Sequence, residues 1–199
     1  MSQIDRVDPA LRPRLEGLDE LELPISRANL PAIRAQSEVR GTISPVYGGL
    51  EPRKVELQTE SGIINLYIFD PPAENKPKSC LLWLHGVGYI MGRSKDMWNG
   101  PQFAEQADCI IISVAYRLAP EHPFPAAFHD AFSALNWIYE NAKILGVDPS
   151  RIAIGGMSAG GGLAACLALM PEIKRDHLFA ICYLLSAFAL PYDRQPSRY

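Results

Sequence analysis

The stretch Ile152-Ala153-Ile154-Gly155-Gly156-Met157-Ser158-Ala159-Gly160-Gly161-Gly162 changes character at its serine. Before it lie three apolar residues of strand type, and after it an Ala/Leu-rich run reaches Met170 and stops at Pro171. A short continuous apolar run reads as a strand buried on both faces, and the run after the serine reads as a helix. The pattern G-x-S-x-G falls at Gly156, Ser158 and Gly160. Chance alone gives that pattern in roughly one chain in fifteen of this length, with Gly and Ser each near 7%. The flanks give it meaning. A strand running into a tight turn and a helix running out present a serine on strained backbone, at the positive end of the helix. Glycines two residues either side let strand and helix approach closely. The competing reading is a Gly-rich turn with an incidental serine. A dinucleotide loop does not fit, because G-x-G-x-x-G cannot be laid on these glycines, and no Gly-Lys-Ser/Thr is present for a phosphate loop.

Working outward, strand and helix signals alternate. Lys54–Gln58 and Ile63–Phe69 alternate like an antiparallel pair turned at Glu60-Ser61-Gly62. Cys80–Leu84 and Cys109–Ala115 are continuous apolar runs. Pro125–Leu145 places Ala127, Ala131, Leu135 and Ile138 at helical spacing before Gly146, and Leu178–Phe188 reads as a last strand. This predicts an α/β fold with a mainly parallel sheet and helices on both faces. Residues 1–45 differ: Asp8-Pro9 reads as a helix start, Leu11, Leu15 and Leu18 follow at helical spacing, and Ser26 opens a second short helix with Leu30 and Ile33. The division expected is a helical arm over 1–45 and a core over 46–199.

Composition excludes several classes. The 199 residues carry 19 Lys+Arg against 22 Asp+Glu, a net charge of −3, with a pI near 5.8. No basic cluster suggests a nucleic-acid partner. At 48% hydrophobic and 21% charged, the usage is that of a folded globular protein rather than a disordered one. The longest apolar run, Leu178–Pro191, is too short for a bilayer of roughly 30 Å, and the first residues carry charge where a signal peptide needs apolar side chains. Four cysteines, Cys80, Cys109, Cys166 and Cys182, sit in apolar segments without CxxC spacing. They read as reduced core thiols, and with the charged start they point to the cytoplasm. No metal set is expected.

A second Gly-rich segment, Trp83-Leu84-His85-Gly86-Val87-Gly88-Tyr89, follows directly on a strand. Such a loop can aim backbone N–H groups at an oxyanion, together with the amide after the serine, which belongs to Ala159. Together HGVGY at 85–89, YRLAPEHPFPA at 116–126, GVDPSRIAIGGMSAGG at 146–161 and the helical arm resemble the hormone-sensitive-lipase-like esterases of the α/β-hydrolase fold. The resemblance implies a serine carboxylesterase acting on short- to medium-chain acyl esters, without a cofactor. By position it makes Ser158 the nucleophile and sets Gly86, Val87, Gly88 and Ala159 around the oxyanion, with His85, Gly156 and Gly160 supporting the motifs. Arg117, Glu121 and Asp130 would hold structure, and the arm would form part of a lid.

The chain departs from that pattern in three places. Val87 stands at the middle glycine of HGGG, and Met157 stands before the serine, where the family usually has an acidic residue. If the middle position needs φ > 0, a β-branched residue there is strained and shifts a donor. Third, the triad of this fold runs Ser…Asp/Glu…His along the chain. Only Glu172, Asp176, Asp193 and His177 follow Ser158 as candidates. His177 would begin a strand whose far end carries the site, roughly 26 Å away for eight residues at about 3.3 Å each, whereas a base must lie within about 3 Å. His122 and His129 precede the serine in a loop and a helix start. The expectation is therefore an incomplete hydrolase core, its last strands and the acid and base missing, and inactivity of this chain is the expected consequence. The alternatives are a non-catalytic small-ligand module on the same fold, or a fragment awaiting a complementary chain. The strand at 178–188 would then be an apolar edge, open to homo-oligomerisation or aggregation.

Overall fold

In a computed structural model of the chain, the structure describes residues 8–10, 25–43, 50–72, 77–95, 100–170 and 178–183, the side chains of 37–43, 100–101 and 178–183 excepted. The chain divides into two compact units, residues 1–36 and 37–199. In the first, the Ala10 N–H donates to Asp8 Oδ1 at 2.8 Å. Helix α1 (Leu30–Ile43) opens on a reciprocal brace. The Ser26 N–H donates to Asn29 Oδ1 at 2.8 Å, and the Ser26 carbonyl accepts the Leu30 N–H at 3.0 Å. Residues 11–24, where the first helix is expected, lie outside the described residues.

The second unit is a six-stranded sheet with helices on both faces. In chain order it contains β1 (Arg53–Thr59), β2 (Gly62–Phe69), β3 (Lys78–Leu84), α2 (Gly100–Ala107), β4 (Cys109–Ala115), α3 (Ala126–Leu145), β5 (Val147–Met157), α4 (Ala159–Ala168) and β6 (Leu178–Tyr183). The strand order is β1-β2-β4-β3-β5-β6. The β1–β2 hairpin and the β2–β4 pairing are antiparallel; β4–β3, β3–β5 and β5–β6 are parallel. The mixed sheet follows from the sequence pattern. β1 and β2 alternate and are joined through Glu60-Ser61, with Thr59 paired to Gly62. β4 is buried along six of its seven residues, as a central parallel strand must be.

The main core lies between the sheet and α3 and α4, where Leu82, Ile110, Ile112, Leu135, Ile138, Ile154, Leu163 and Leu167 meet. Helix α3 presents Ala131, Ala134, Leu135, Ile138, Ala142 and Leu145 on one stripe. It ends where Gly146 turns left-handed (φ 70°) and its N–H reaches the last carbonyls. On the opposite face α2 sets Ala104 against Phe69, Leu81, Cys109 and Ile111. Helix α2 is an element the sequence reading lacks. β5 also begins earlier than expected. Val147 pairs with Lys78, and the ladder then jumps to Ile152 opposite Cys80. The Asp148–Arg151 segment forms the irregularity, closed by Asp148 accepting from the Ser150 N–H at 2.9 Å.

Two further corrections concern side chains. Cys80 and Cys109 are buried thiols as expected, but Cys166 is exposed. Helix α4 buries Leu163, Ala164 and Leu167, and that spacing turns position 166 away from the core. Lys78 is the buried residue no pattern announces. Its ammonium donates to Asp70 Oδ1 at 3.1 Å and to the Pro71 carbonyl, with Asp108 at 3.5 Å. These partners make the burial of a charge tolerable.

Candidate active site

β5 and α4 meet at Ser158. The serine sits between Met157, the last strand residue, and Ala159, the first helical one, with φ 53° and ψ −116°. A side-chain-bearing residue rarely holds positive φ, and such strain persists only when its surroundings enforce it. The flanking glycines show the enforcement. A Cβ on Gly156 would collide with the Gly160 backbone. A Cβ on Gly160 would collide with the Leu84 carbonyl oxygen and come within 2.5 Å of the His85 carbonyl oxygen. The turn is therefore pressed onto the end of β3, and glycine is the residue that allows it.

The loop after β3 touches the same turn. A Cβ on Gly86 would lie 2.8 Å from the Met157 carbonyl oxygen and 3.4 Å from Ser158 Cβ. Past it the backbone is left-handed at three successive residues, Val87 (φ 75°), Gly88 (φ 67°) and Tyr89 (φ 63°). The middle position does hold positive φ, so Val87 carries the strain its branched side chain implies. Val87 is exposed at 44%. The first amides of α4 have no intrahelical partner and lie at the positive end of the helix dipole. Gly86, Val87, Gly88, Ser158 and Ala159 thus occupy two adjoining segments at the carboxyl ends of β3 and β5.

His85 lies beneath this loop as a structural group. It is 8% exposed, and its ring stacks on Tyr116 with centroids 4.1 Å apart. The Tyr116 hydroxyl donates to the His85 carbonyl at 2.7 Å. His85 Nδ1 lies 3.0 Å from the Gly86 carbonyl and 3.2 Å from the Tyr116 hydroxyl oxygen. With the tyrosine proton already committed, the consistent assignment puts a proton on Nδ1, shared between those two oxygens. Burial holds the imidazole pKa below its usual 6.5, opposed in part by the bond to the Gly86 carbonyl. Burial likewise pushes the Tyr116 hydroxyl up. Tyr116 and Gly92, on which a Cβ would meet the His85 ring, are contributors the motif reading missed. The aromatic opening the 116–126 segment was their one sequence signal.

The segment after β4 is anchored by ions. The Arg117 Nη2 donates to Asp130 Oδ1 at 2.8 Å, and the Arg117 backbone N–H donates to Oδ2 at 2.9 Å. Asp130 is 1% exposed. His122 and His129 are exposed, on the loop and on the first turn of α3. Glu172, Asp176, His177 and Asp193 lie outside the described residues. β6 runs parallel to β5, with Leu178 opposite Ile152 and Tyr183 opposite Met157. Its start thus lies five residues, about 17 Å, below the end of β5, nearer than the 26 Å expected because the described strand is six residues long. That still leaves the start of β6 far outside hydrogen-bond reach of Ser158. Residues 184–188 of the expected strand lie outside the described residues. Among the described residues no group of three His, Cys, Asp or Glu could hold a metal, and no helix is long and apolar enough to cross a membrane.

A mixed, mainly parallel sheet with a glycine-bounded serine between strand and helix, apposed to a Gly-rich loop, defines the α/β-hydrolase class. Comparison agrees: residues 81–198 match the family model described as alpha/beta hydrolase fold. Esterase LipI of Mycobacterium tuberculosis is 41% identical over 128 residues, 62% of this chain and 40% of that protein. An AB hydrolase superfamily protein of Schizosaccharomyces pombe is 48% identical over 90 residues, 45% of this chain and 26% of that protein. The crystal structure of EstE1, a carboxylesterase cloned from a metagenomic library, aligns with a TM-score of 0.66 at 34% identity, covering 73% of this chain and 51% of that one. The chain belongs to the hormone-sensitive-lipase-like esterases of the α/β-hydrolase fold. It spans less than half the length of the curated relatives it matches.

Proposed function

We propose that this chain carries the nucleophile and the oxyanion donors of a serine carboxylesterase acting on short- to medium-chain acyl esters. The observation that carries the reading is the apposition of the Gly86 loop to the Ser158 turn, with positive φ at the serine and at the loop. In this reading Ser158 Oγ attacks the ester carbonyl, and the amides of Val87, Gly88 and Ala159 hold the negative charge that develops on its oxygen. Gly86, Gly156 and Gly160 supply close approach, and His85 holds the loop from below. Neutral acyl esters need no cofactor for this step.

Two further parts belong to the same reading. In the same reading none of Glu172, Asp176, His177 and Asp193 serves as base or acid partner, so the 199-residue polypeptide by itself is a poor catalyst. The β6 edge, which ends the sheet among the described residues, is a template for pairing with a second strand.

The test is to join residues 1–199 to the C-terminal part of a solved esterase relative and assay a nitrophenyl butyrate. Hydrolysis that appears on joining and is abolished by Ser158→Ala supports the reading. A folded hybrid whose hydrolysis ignores Ser158→Ala would contradict it.

A further inference from the structure

Tyr89 closes the loop that begins at His85, and it is the third of three successive left-handed residues there. Two of the three carry side chains, and side-chain-bearing residues keep such backbone only where the surroundings over-determine it. Val87 and Tyr89 are both exposed, at 44% and 38%, so side-chain burial does not fix this backbone and particular contacts must. Those contacts converge at Tyr89. The Tyr89 carbonyl accepts the Ala119 N–H at 2.9 Å, which ties the loop to the segment after β4. Its hydroxyl lies against α4, where a Cβ on Gly162 would stand 2.7 Å from the Tyr89 Oη. Gly162 is one helical turn past Ser158, and its N–H donates to the Ser158 carbonyl at 3.1 Å. Burial raises the Tyr89 hydroxyl pKa, in keeping with that seat on the helix.

We infer that Tyr89 is a positioning residue whose hydroxyl end rests on the bare backbone of Gly162 and whose main chain is tied to Ala119, and that this brace sets Val87 and Gly88 relative to Ser158. Glycine at 162 is then a receptor for the tyrosine rather than a helix defect. The loop and the serine turn are held as one piece because both are referred to the first turn of α4. The inference rests on the esterase reading only for what the Val87 and Gly88 amides do; the brace itself is independent of it.

The experiment is amide NMR on the full 199-residue chain as wild type, Gly162→Ala, Tyr89→Phe, and the double variant. Gly to Ala inside a helix ordinarily stabilises it. Here Gly162→Ala is expected to move the Val87 and Gly88 amide signals and to speed their hydrogen exchange by about tenfold. Removing the hydroxyl gives the new methyl room, so Tyr89→Phe should restore both signals in the double variant, which a general loss of packing would not allow. Should Gly162→Ala fail to fold, Tyr89→Ala serves: faster exchange at Val87 and Gly88 with the α4 amides beyond Gly162 unmoved is the expected result. Val87 and Gly88 signals that ignore Gly162→Ala or Tyr89→Ala, or a double variant that is not restored, would overturn the inference. Adding butylphosphonate to wild type separates the two claims. Failure to shift the Val87, Gly88 and Ala159 amides counts against the esterase reading, while the comparison among free proteins still decides the brace.

Discussion

Val87 holds φ 75° where a glycine would be unstrained, and it does so beside the serine turn. A non-glycine residue in such a region costs about 1–3 kcal/mol, and glycine returns roughly 0.5–1 kcal/mol of that through the freer unfolded chain. Val87→Gly should therefore raise stability by about 1 kcal/mol, a melting-temperature gain of about 2–4 °C for a chain this size; calorimetry on the two proteins measures it. Gly160→Ala has the opposite sign despite lying in a helix, because its methyl meets the Leu84 and His85 carbonyls. A loss of about 1–3 kcal/mol is expected in urea unfolding. His85 sets a pH dependence. Its folded pKa lies below the usual 6.5, so the unfolded chain binds the proton more readily. Its contribution is complete above pH 6.5 and is lost as the pH falls from there through the folded value. Wild type should lose more stability between pH 7 and pH 5 than His85→Gln, followed by urea midpoints. At this scale the serine motif was legible because its residues are neighbours in sequence. The His85–Tyr116 stack joins residues 31 apart, and no local pattern reports such a contact.

Among the elements, the hairpin, β3, β4, α3 and α4 follow from periodicity and breakers. Helix α2 escaped because Gly100-Pro101 reads as a turn and eight residues give too few apolar repeats to register. The irregular start of β5 escaped because Asp148-Pro149-Ser150 signals a turn while its neighbours still pair. The loop between β4 and α3 is fixed by the Arg117–Asp130 pair. Removing the cation leaves a buried carboxylate with fewer donors, and breaking such a pair costs about 3–5 kcal/mol. Partial exposure of Arg117 puts Arg117→Leu toward the lower end, as chemical denaturation would show. The β6 edge makes its own prediction. Size-exclusion chromatography at rising protein concentration should show association, and a monomer throughout would remove the edge-pairing proposal.

Among the described residues, three of the four side-chain-bearing positions with positive φ, Val87, Tyr89 and Ser158, lie at one end of the sheet, and the fourth, Asp108 (φ 43°), lies at the other. A cavity of about 290 Å³ opens at that other end, lined by Leu81, Phe103, Ala107, Cys109 and Ala153. It lies by the starts of β3 and β4, away from the serine. Fold class was legible in the sequence because parallel pairing makes strands continuously apolar; a base for Ser158 was not, because a base is defined by proximity in space and the titratable residues that follow the serine lie outside the described residues. In the proposed reading the serine turn and the oxyanion loop are built in this chain while the base that activates the serine is not. A serine without a base is a weak nucleophile, and sites lacking triad members elsewhere retain only about 10³–10⁴-fold acceleration over water. Hydrolysis of a nitrophenyl butyrate by the purified 199-residue protein, measured beside Ser158→Ala, tests this directly. The expected rate is no better than that residual level, with little change in Ser158→Ala; robust turnover abolished by Ser158→Ala would contradict that reading.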